Sequence, residues 1–251
     1  MKLTLVKTIT AHKSLVNSII LLQDGRIASG NDDYIIKIFD PDNNYNCDLS
    51  ISNDGQIKSL CQLDNGNIVS SGYSKLFICS FSKTSSKLEH TFKNVSSTKV
   101  ISISNNRFVS IEPIAIWNGN SPYSDQPIKI LEKKDYSSRV TYIRDKEYLI
   151  SATHYSYKMF IWSTKTYQCI STIKGPSARF RHCLYNIDNE RVAAGADGEF
   201  FIVNVIKVFI EDKIRLPKIG VTYDFVKLQG DVLIGAGNYG KYVLFYLKTK
   251  N

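Results

Sequence analysis

The longest apolar run in the 251-residue sequence is the six residues Tyr242–Leu247, and others are shorter, as at Ile19–Leu22. That is far short of the ~18 that would suggest a membrane span. The opening MKLTLVKTIT holds a single apolar pair, Leu5-Val6, too little for the apolar region of a signal peptide. Glycine and proline number only 14 and 6, which excludes collagen-like and low-complexity organisation. The five cysteines (Cys47, Cys61, Cys79, Cys169 and Cys183) are odd in number, widely spread and without a CxxC. A secreted disulfide framework prefers an even number at tight spacing. Four of the five lie in apolar runs, where a thiol behaves as a small hydrophobe. They are expected to be reduced core residues of a cytoplasmic, or nuclear, protein. His12, His90, His154 and His182 form no HxxxH or Cys/His pair, so no metal site is expected. Neither a GxSxG elbow nor a GxxxxGK[ST] phosphate loop is present. No catalytic residue and no cofactor is expected, and the chain is read as a non-enzyme.

What is present is a folded-protein composition, 43% hydrophobic and 22% charged, arranged in a repeat. One phrase returns six times: a turn, a short apolar strand, then a small residue. It reads DGRIASG at 24–30, NGNIVSS at 65–71, NNRFVSI at 105–111, DKEYLISA at 145–152, DNERVAAG at 188–195 and QGDVLIGA at 229–236. The apolar residues after each turn are Ile27, Ile68, Phe108, Leu149, Val192 and Leu233, spaced by 41, 40, 41, 43 and 41. An alternating strand precedes each phrase, as at 16–22, 57–63 and 181–187. A strand ending in an aromatic and a polar residue follows at 35–40, 76–82, 115–118 and 159–163. Where room allows a fourth comes after, as at 88–92 and 169–174. Four antiparallel strands per repeat of about 41 residues is the arithmetic of a propeller blade.

The first repeat, AHKSLVNSIILLQDGRIASGNDDYIIKIFD, carries the residues by which the chain resembles the WD-repeat β-propeller family. His12 stands in the loop before the first strand, Ser29 in the second strand, Asp33 in the next turn, and Phe39-Asp40 at the aromatic-Asp ending. The resemblance implies a buried hydrogen-bond chain through these side chains that ends on a Trp indole N–H. Phe39 lacks that donor. Trp117 and Trp162 keep the aromatic but are followed by Asn118 and Ser163, and the fifth repeat has Asn204 where the Asp would stand.

After Gly220 three strands are expected, at 221–228, 232–237 and 242–247, while LTLVKTI at 3–9 precedes the first repeat with no place in it. The expected fold is therefore all-β: a six-bladed β-propeller of four-stranded antiparallel blades in one domain, 1–251, its N-terminal strand closing the last blade and leaving no long free edge. Asp33, Asp197 and Asn238 fall at comparable turns and are read as tightening those turns, not as ligands.

The family resemblance implies a protein-interaction scaffold or substrate-recruiting adaptor using its loop faces. Read onto this chain, one loop face carries Lys13, Tyr34, Tyr73, Tyr136, Arg139, Tyr155, Tyr157, Arg179, Phe180, Arg181, Lys218 and Tyr239. Tyr and Arg combine contact area with hydrogen bonding and are frequent interface anchors. Of the net charge of +9, residues 1–125 carry +1 and residues 126–251 carry +8. No acidic residue occurs from Tyr148 to Ile187. Such a basic sector attracts acidic or phosphorylated protein segments or a phosphoinositide membrane surface. Arg179-Phe180-Arg181-His182 only loosely echoes the Phe-Arg-Arg-Gly of phosphoinositide-binding propellers. Nucleic-acid association, lacking any reading motif, is the weakest of the three readings.

Overall fold

The structure is a computed structural model that describes residues 8–131, 137–153, 157–175, 183–196 and 199–215, together with the backbone of strands at 222–228, 232–237 and 242–246. It is all-β; the one helical segment among the described residues is a single 3-10 turn, Arg144–Lys146. The first sheet runs through β1 (Val16–Leu21), β2 (Ile27–Asn31), β3 (Ile35–Asp40) and β4 (Asn46–Ser52), hydrogen-bonded in that order. The second repeats it with β5 (Ser59–Gln62), β6 (Ile68–Ser71), β7 (Lys75–Phe81) and β8 (Ser86–Lys93). The third has β9 (Val100–Ile103), β10 (Arg107–Ser110), β11 (Ala115–Asn118) and a two-residue β12 (Lys129–Ile130). The fourth comprises β13 (Ser137–Ile143), β14 (Tyr148–Thr153), β15 (Lys158–Ser163) and β16 (Cys169–Lys174). The fifth comprises β17 (Cys183–Asn186), β18 (Arg191–Ala196), β19 (Glu199–Asn204) and β20 (Phe209–Arg215). A three-stranded sheet, β21 (Thr222–Leu228), β22 (Val232–Gly237) and β23 (Tyr242–Tyr246), ends the series. Among the described residues there are thus five four-stranded sheets and one of three, and the expected strand at 3–9 lies outside the described residues except for its last two, which are not in a strand.

The chain divides into two compact units, one of residues 1–110 with 116–128, the other of 111–115 with 129–251. In the first, Leu22, Ala28, Ile36, Ile38 and Ile51 pack on Ile57, Leu60, Ile68 and Cys79 of the next sheet. Gly30 closes its phrase with a small residue for a packing reason, since a Cβ there would run into Ile57. In the second unit Ile143, Ile150, Ala152, Met159, Ile161 and Ile173 pack on Val192, Ala194, Phe201 and Val203. Ile68, Phe108, Leu149 and Val192, the residues that set the repeat period, are fully buried, whereas Ile27 is half-buried.

Register gives the repeat its exact correspondences. Ile27 faces Phe39, Ile68 faces Cys79, Leu149 faces Trp162, Val192 faces Val203 and Leu233 faces Phe245. In the second sheet the aromatic position is therefore Cys79, not the Phe81 that the strand's ending suggests. Ile68 and Cys79 are 11 residues apart where Ile27 and Phe39 are 12, and Phe81 packs half-buried at the edge of the core, beneath the Arg26 guanidinium. At this position a bulge recurs between third and fourth strands, at Ile38/Phe39, Ile78/Cys79, Ile161/Trp162 and Ile202/Val203. In two sheets the extra residue is an acid tied back to the third strand. The Ser80 hydroxyl donates to Glu89 at 2.6 Å, and the Asn204 amide donates to Glu211 at 2.8 Å.

None of the five cysteines forms a disulfide. Cys61, Cys79 and Cys183 are buried as expected, and burial pushes the Cys61 and Cys79 thiols up to about 12. Exposed Cys47 departs from the expectation, and so does Cys169. Its apolar run, CISTI, forms an outer strand, so the thiol is half-exposed, at the same register position as exposed Cys47. Among the described residues no helix is long and apolar enough to cross a membrane.

Candidate functional site

The loop before β1 and the turn between β2 and β3 are held together by buried polar contacts. His12 Nε2 lies 2.7 Å from Ser29 Oγ, and its Nδ1 lies 3.6 Å from Asp33 Oδ1. The Asp33 N–H donates to Asn31 Oδ1 at 3.0 Å, a local side-chain turn, and Asp33 Oδ2 accepts the Lys13 N–H at 3.3 Å. Burial lowers the His12 pKa, Lys37 adds to this, and Asp33 opposes it. Burial pushes the Asp33 carboxyl up, but the Asn31 amide, the Lys13 N–H and His12 outweigh it and hold the carboxyl below its ordinary value.

The same positions in other sheets hold other parts of this chain. In the second sheet Asn53 stands where His12 does and donates to Ser70 Oγ at 3.2 Å, with Cys79 Sγ 3.9 Å from Asn53 Oδ1. In the third and fourth sheets the indoles of Trp117 and Trp162 donate to Ser110 Oγ at 2.9 Å and Ser151 Oγ at 3.0 Å.

Above this support, at the same ends of the first two sheets, lie three of the expected contact residues. Lys13 is exposed, Tyr34 is 47% exposed and Tyr73 is 61% exposed. Tyr34 has φ +69, a left-handed conformation that costs a side chain-bearing residue of order 1 kcal/mol. Lys58, which sequence reasoning missed, sits 4.7 Å over the Tyr73 ring and 2.6 Å from Asp32 Oδ1. Its hydrogen bond to Asp32 raises the Lys58 pKa and lowers that of Asp32. Asn17 Nδ2 also reaches Asp32 Oδ1, at 2.7 Å. Asn17 and Lys58 each stand ten residues before the apolar residue that sets their repeat, Ile27 and Ile68, and this spacing was the available signal.

In the second unit Arg139 stands ten residues before Leu149, the counterpart of Lys58. It falls within β13 opposite Ala152, half-buried, and not in a loop. Tyr157 precedes β15 as Tyr34 precedes β3, half-buried, again left-handed with φ +55. Tyr136, Tyr155, Arg179, Phe180, Arg181, Lys218 and Tyr239 lie outside the described residues. Among those described, no cluster of three or more His, Cys, Asp or Glu could hold a metal ion.

Residues 3–40 match the family described as WD domain, G-beta repeat. No curated protein matches the chain. WD-repeat domains serve in general as non-catalytic protein-interaction scaffolds. The matched first repeat, with its His12–Ser29–Asp33 contacts, and the recurrence of the same four-stranded antiparallel sheet along the chain support a WD-repeat family for this protein.

Proposed function

We propose that the protein is a cytoplasmic interaction scaffold or recruiting adaptor that engages other proteins through the loop ends bearing Lys13, Tyr34 and Tyr73. The observation that carries this reading is the pair of exposed tyrosines at one end of adjacent sheets, with Tyr73 stacked beneath Lys58 and Lys58 fixed by Asp32. Large rigid side chains over a pre-ordered ionic support lose little entropy on binding. The test is affinity purification with the Tyr34→Ala/Tyr73→Ala double variant. Partners captured by the wild type are lost, while the melting temperature stays within a degree or two. Recovery of the same partners in undiminished amount would overturn it.

The scaffold is proposed to be a single six-bladed ring over 1–251, with residues 3–9 completing the three-stranded sheet. Support comes from β1, whose Leu15, Ile19 and Leu21 neighbourhood is 73%, 67% and 74% exposed, an apolar face that a closing blade would cover. Deleting residues 1–9 then yields unfolded or aggregated protein; a monomeric product with unchanged melting temperature refutes closure. A second reading, anion binding through Arg179, Phe180 and Arg181, rests on the acid-free stretch 148–187. Lys165 in that stretch is paired with Glu147 at 2.9 Å, which reduces its pull on an outside anion. Liposome sedimentation with phosphoinositide vesicles separates this reading, since Arg179→Glu/Arg181→Glu would release the protein from them.

A further inference from the structure

At the ends of the first two sheets opposite to Tyr34 and Tyr73, the β1–β2, β5–β6 and β7–β8 turns leave a groove of about 320 Å³. We propose that this groove is a second docking site, which takes an extended segment of a partner polypeptide and reads it mainly through its main chain. The inference rests on the scaffold reading but uses the other end of the sheets.

The lining favours an amide ligand over an anion or a hydrocarbon. Its buried cation is neutralised from within. Arg26 Nε and Nη2 donate to Asp24 Oδ2 at 2.9 and 2.7 Å, and this hydrogen bonding lowers the Asp24 pKa. The guanidinium also lies 5.2 Å over the Phe81 ring. Four carboxamides, those of Gln23, Gln62, Asn65 and Asn67, make up most of the remaining polar lining. A carboxamide presents an N–H and a C=O side by side, the same pair that a peptide bond presents, so the two match group for group.

The turns hold these amides in place. Gln62 Oε1 accepts the Gln23 N–H at 2.8 Å, Gln62 Nε2 donates to Gly66 O at 2.9 Å, and Asn65 Oδ1 accepts the Asn67 N–H at 3.1 Å. Each carboxamide has two donor hydrogens and two lone pairs. Gln23 Nε2 donates to Leu63 O at 3.0 Å and the Asn67 carboxamide bonds to Tyr123, so each of the four side chains spends one or two of these sites and has others left for a ligand. Gly66 lines the groove in the left-handed conformation, φ +87, that its turn requires, and a Cβ there would meet nothing within 4 Å. Phe81 supplies an apolar wall for one partner side chain. The volume lies at the low end of the ~300–1,000 Å³ of known ligand sites. At ~3.3 Å per extended residue it suits two or three residues of strand.

The probe is a phage-displayed library of random dodecapeptides panned on the full chain, with the selected peptides resynthesised, labelled and titrated. Peptides are expected to bind with dissociation constants of roughly 1–100 µM. Lys83→Trp, which swings an indole across the groove from an exposed turn position, is expected to weaken them about tenfold or more at unchanged melting temperature. N-methylation of the central peptide amides should abolish binding, because it removes the main-chain donors. Tyr34→Ala/Tyr73→Ala should leave it unchanged, so failure here and failure of the proposed partner face are told apart. The proposal is overturned if no peptide is enriched, if binding survives Lys83→Trp or N-methylation, or if it is lost with the two tyrosines. Titration with adenosine monophosphate and inorganic phosphate completes the test; saturable binding of either in place of peptide also overturns it.

Discussion

In the first sheet a buried imidazole, His12, reaches the Ser29 hydroxyl at 2.7 Å, and the residue opposite Ile27 is Phe39, which has nothing to donate. In the fourth, the matching serine, Ser151, receives its hydrogen bond at 3.0 Å from Trp162, the residue that replaces Phe39. The two sheets hold complementary halves of one hydrogen-bond chain, and the serine is what they share. The second sheet uses a third arrangement, an Asn53 amide on Ser70. In the fifth sheet the serine's place is taken by fully buried Ala194 and Phe39's by Val203. A buried hydroxyl is kept where a donor or acceptor meets it from either side, and is given up where neither remains. An unpaired buried polar group costs about 1–3 kcal/mol, which is the physical reason. Degeneracy here follows that rule instead of wearing the pattern away at random.

The indole carries the greatest share of this stability. Trp162→Ala is expected to destabilise by about 3–5 kcal/mol, since it empties a buried aromatic site and orphans Ser151. Trp162→Phe imitates the first sheet and keeps most of the volume, so about 1–2 kcal/mol is expected. Urea melts of both variants check this. Equal losses would mean that the N–H contributes nothing and that packing alone accounts for the tryptophan. His12→Ala comes next, at about 2–3 kcal/mol, because it leaves Ser29 and Asp33 without their buried partner. A cost below about 0.5 kcal/mol would show that the first sheet's polar half is dispensable and that the serine is not the common element.

Much of this frame was legible in the sequence. The strands read at 35–40, 115–118, 169–174 and 232–237 have the same bounds in the structure. Asp, Asn and Gly punctuate the turns, and the alternation between them has the strand's period of two. What was not legible depends on partners far apart in the chain. Phe81 looked like the second repeat's aromatic, but which residue faces Ile68 is set by the length of the preceding turn, and one residue fewer puts Cys79 there. Cys169 read as core because its run is apolar, yet an outer strand is apolar on one face only. The Lys58–Asp32 pair spans 26 residues, and the amide groove is assembled from three turns, so neither leaves a local motif. The third sheet's two-residue β12 was not foreseen, because the sequence after Asn118 carries no alternation to mark it.

The smallest expected effect sharpens the contrast between His12 and Asn53, which do the same work with and without a titratable ring. The ordinary pKa of histidine is 6.5, and burial, reinforced by Lys37 and opposed by Asp33, lowers that of His12. Below about pH 6.5 the unfolded chain therefore binds a proton that the folded chain refuses until the pH has fallen to its lower value. Stability rises with pH wherever the unfolded state holds more protons, so acidification through this window removes stability, and raising the pH restores it. His12→Asn copies the second sheet, where Asn53 bonds to Ser70 across the same 17-residue separation. The variant should keep the serine bond and lose this part of the pH dependence. Urea midpoints of wild type and His12→Asn, taken from pH 8 to pH 5, are expected to run parallel above pH 7 and converge below 6.5, as the wild type alone weakens. Midpoints that stay parallel over the whole range would mean that His12 has the same pKa folded and unfolded, and midpoints that diverge on acidification would mean that Asp33 and not burial sets its charge.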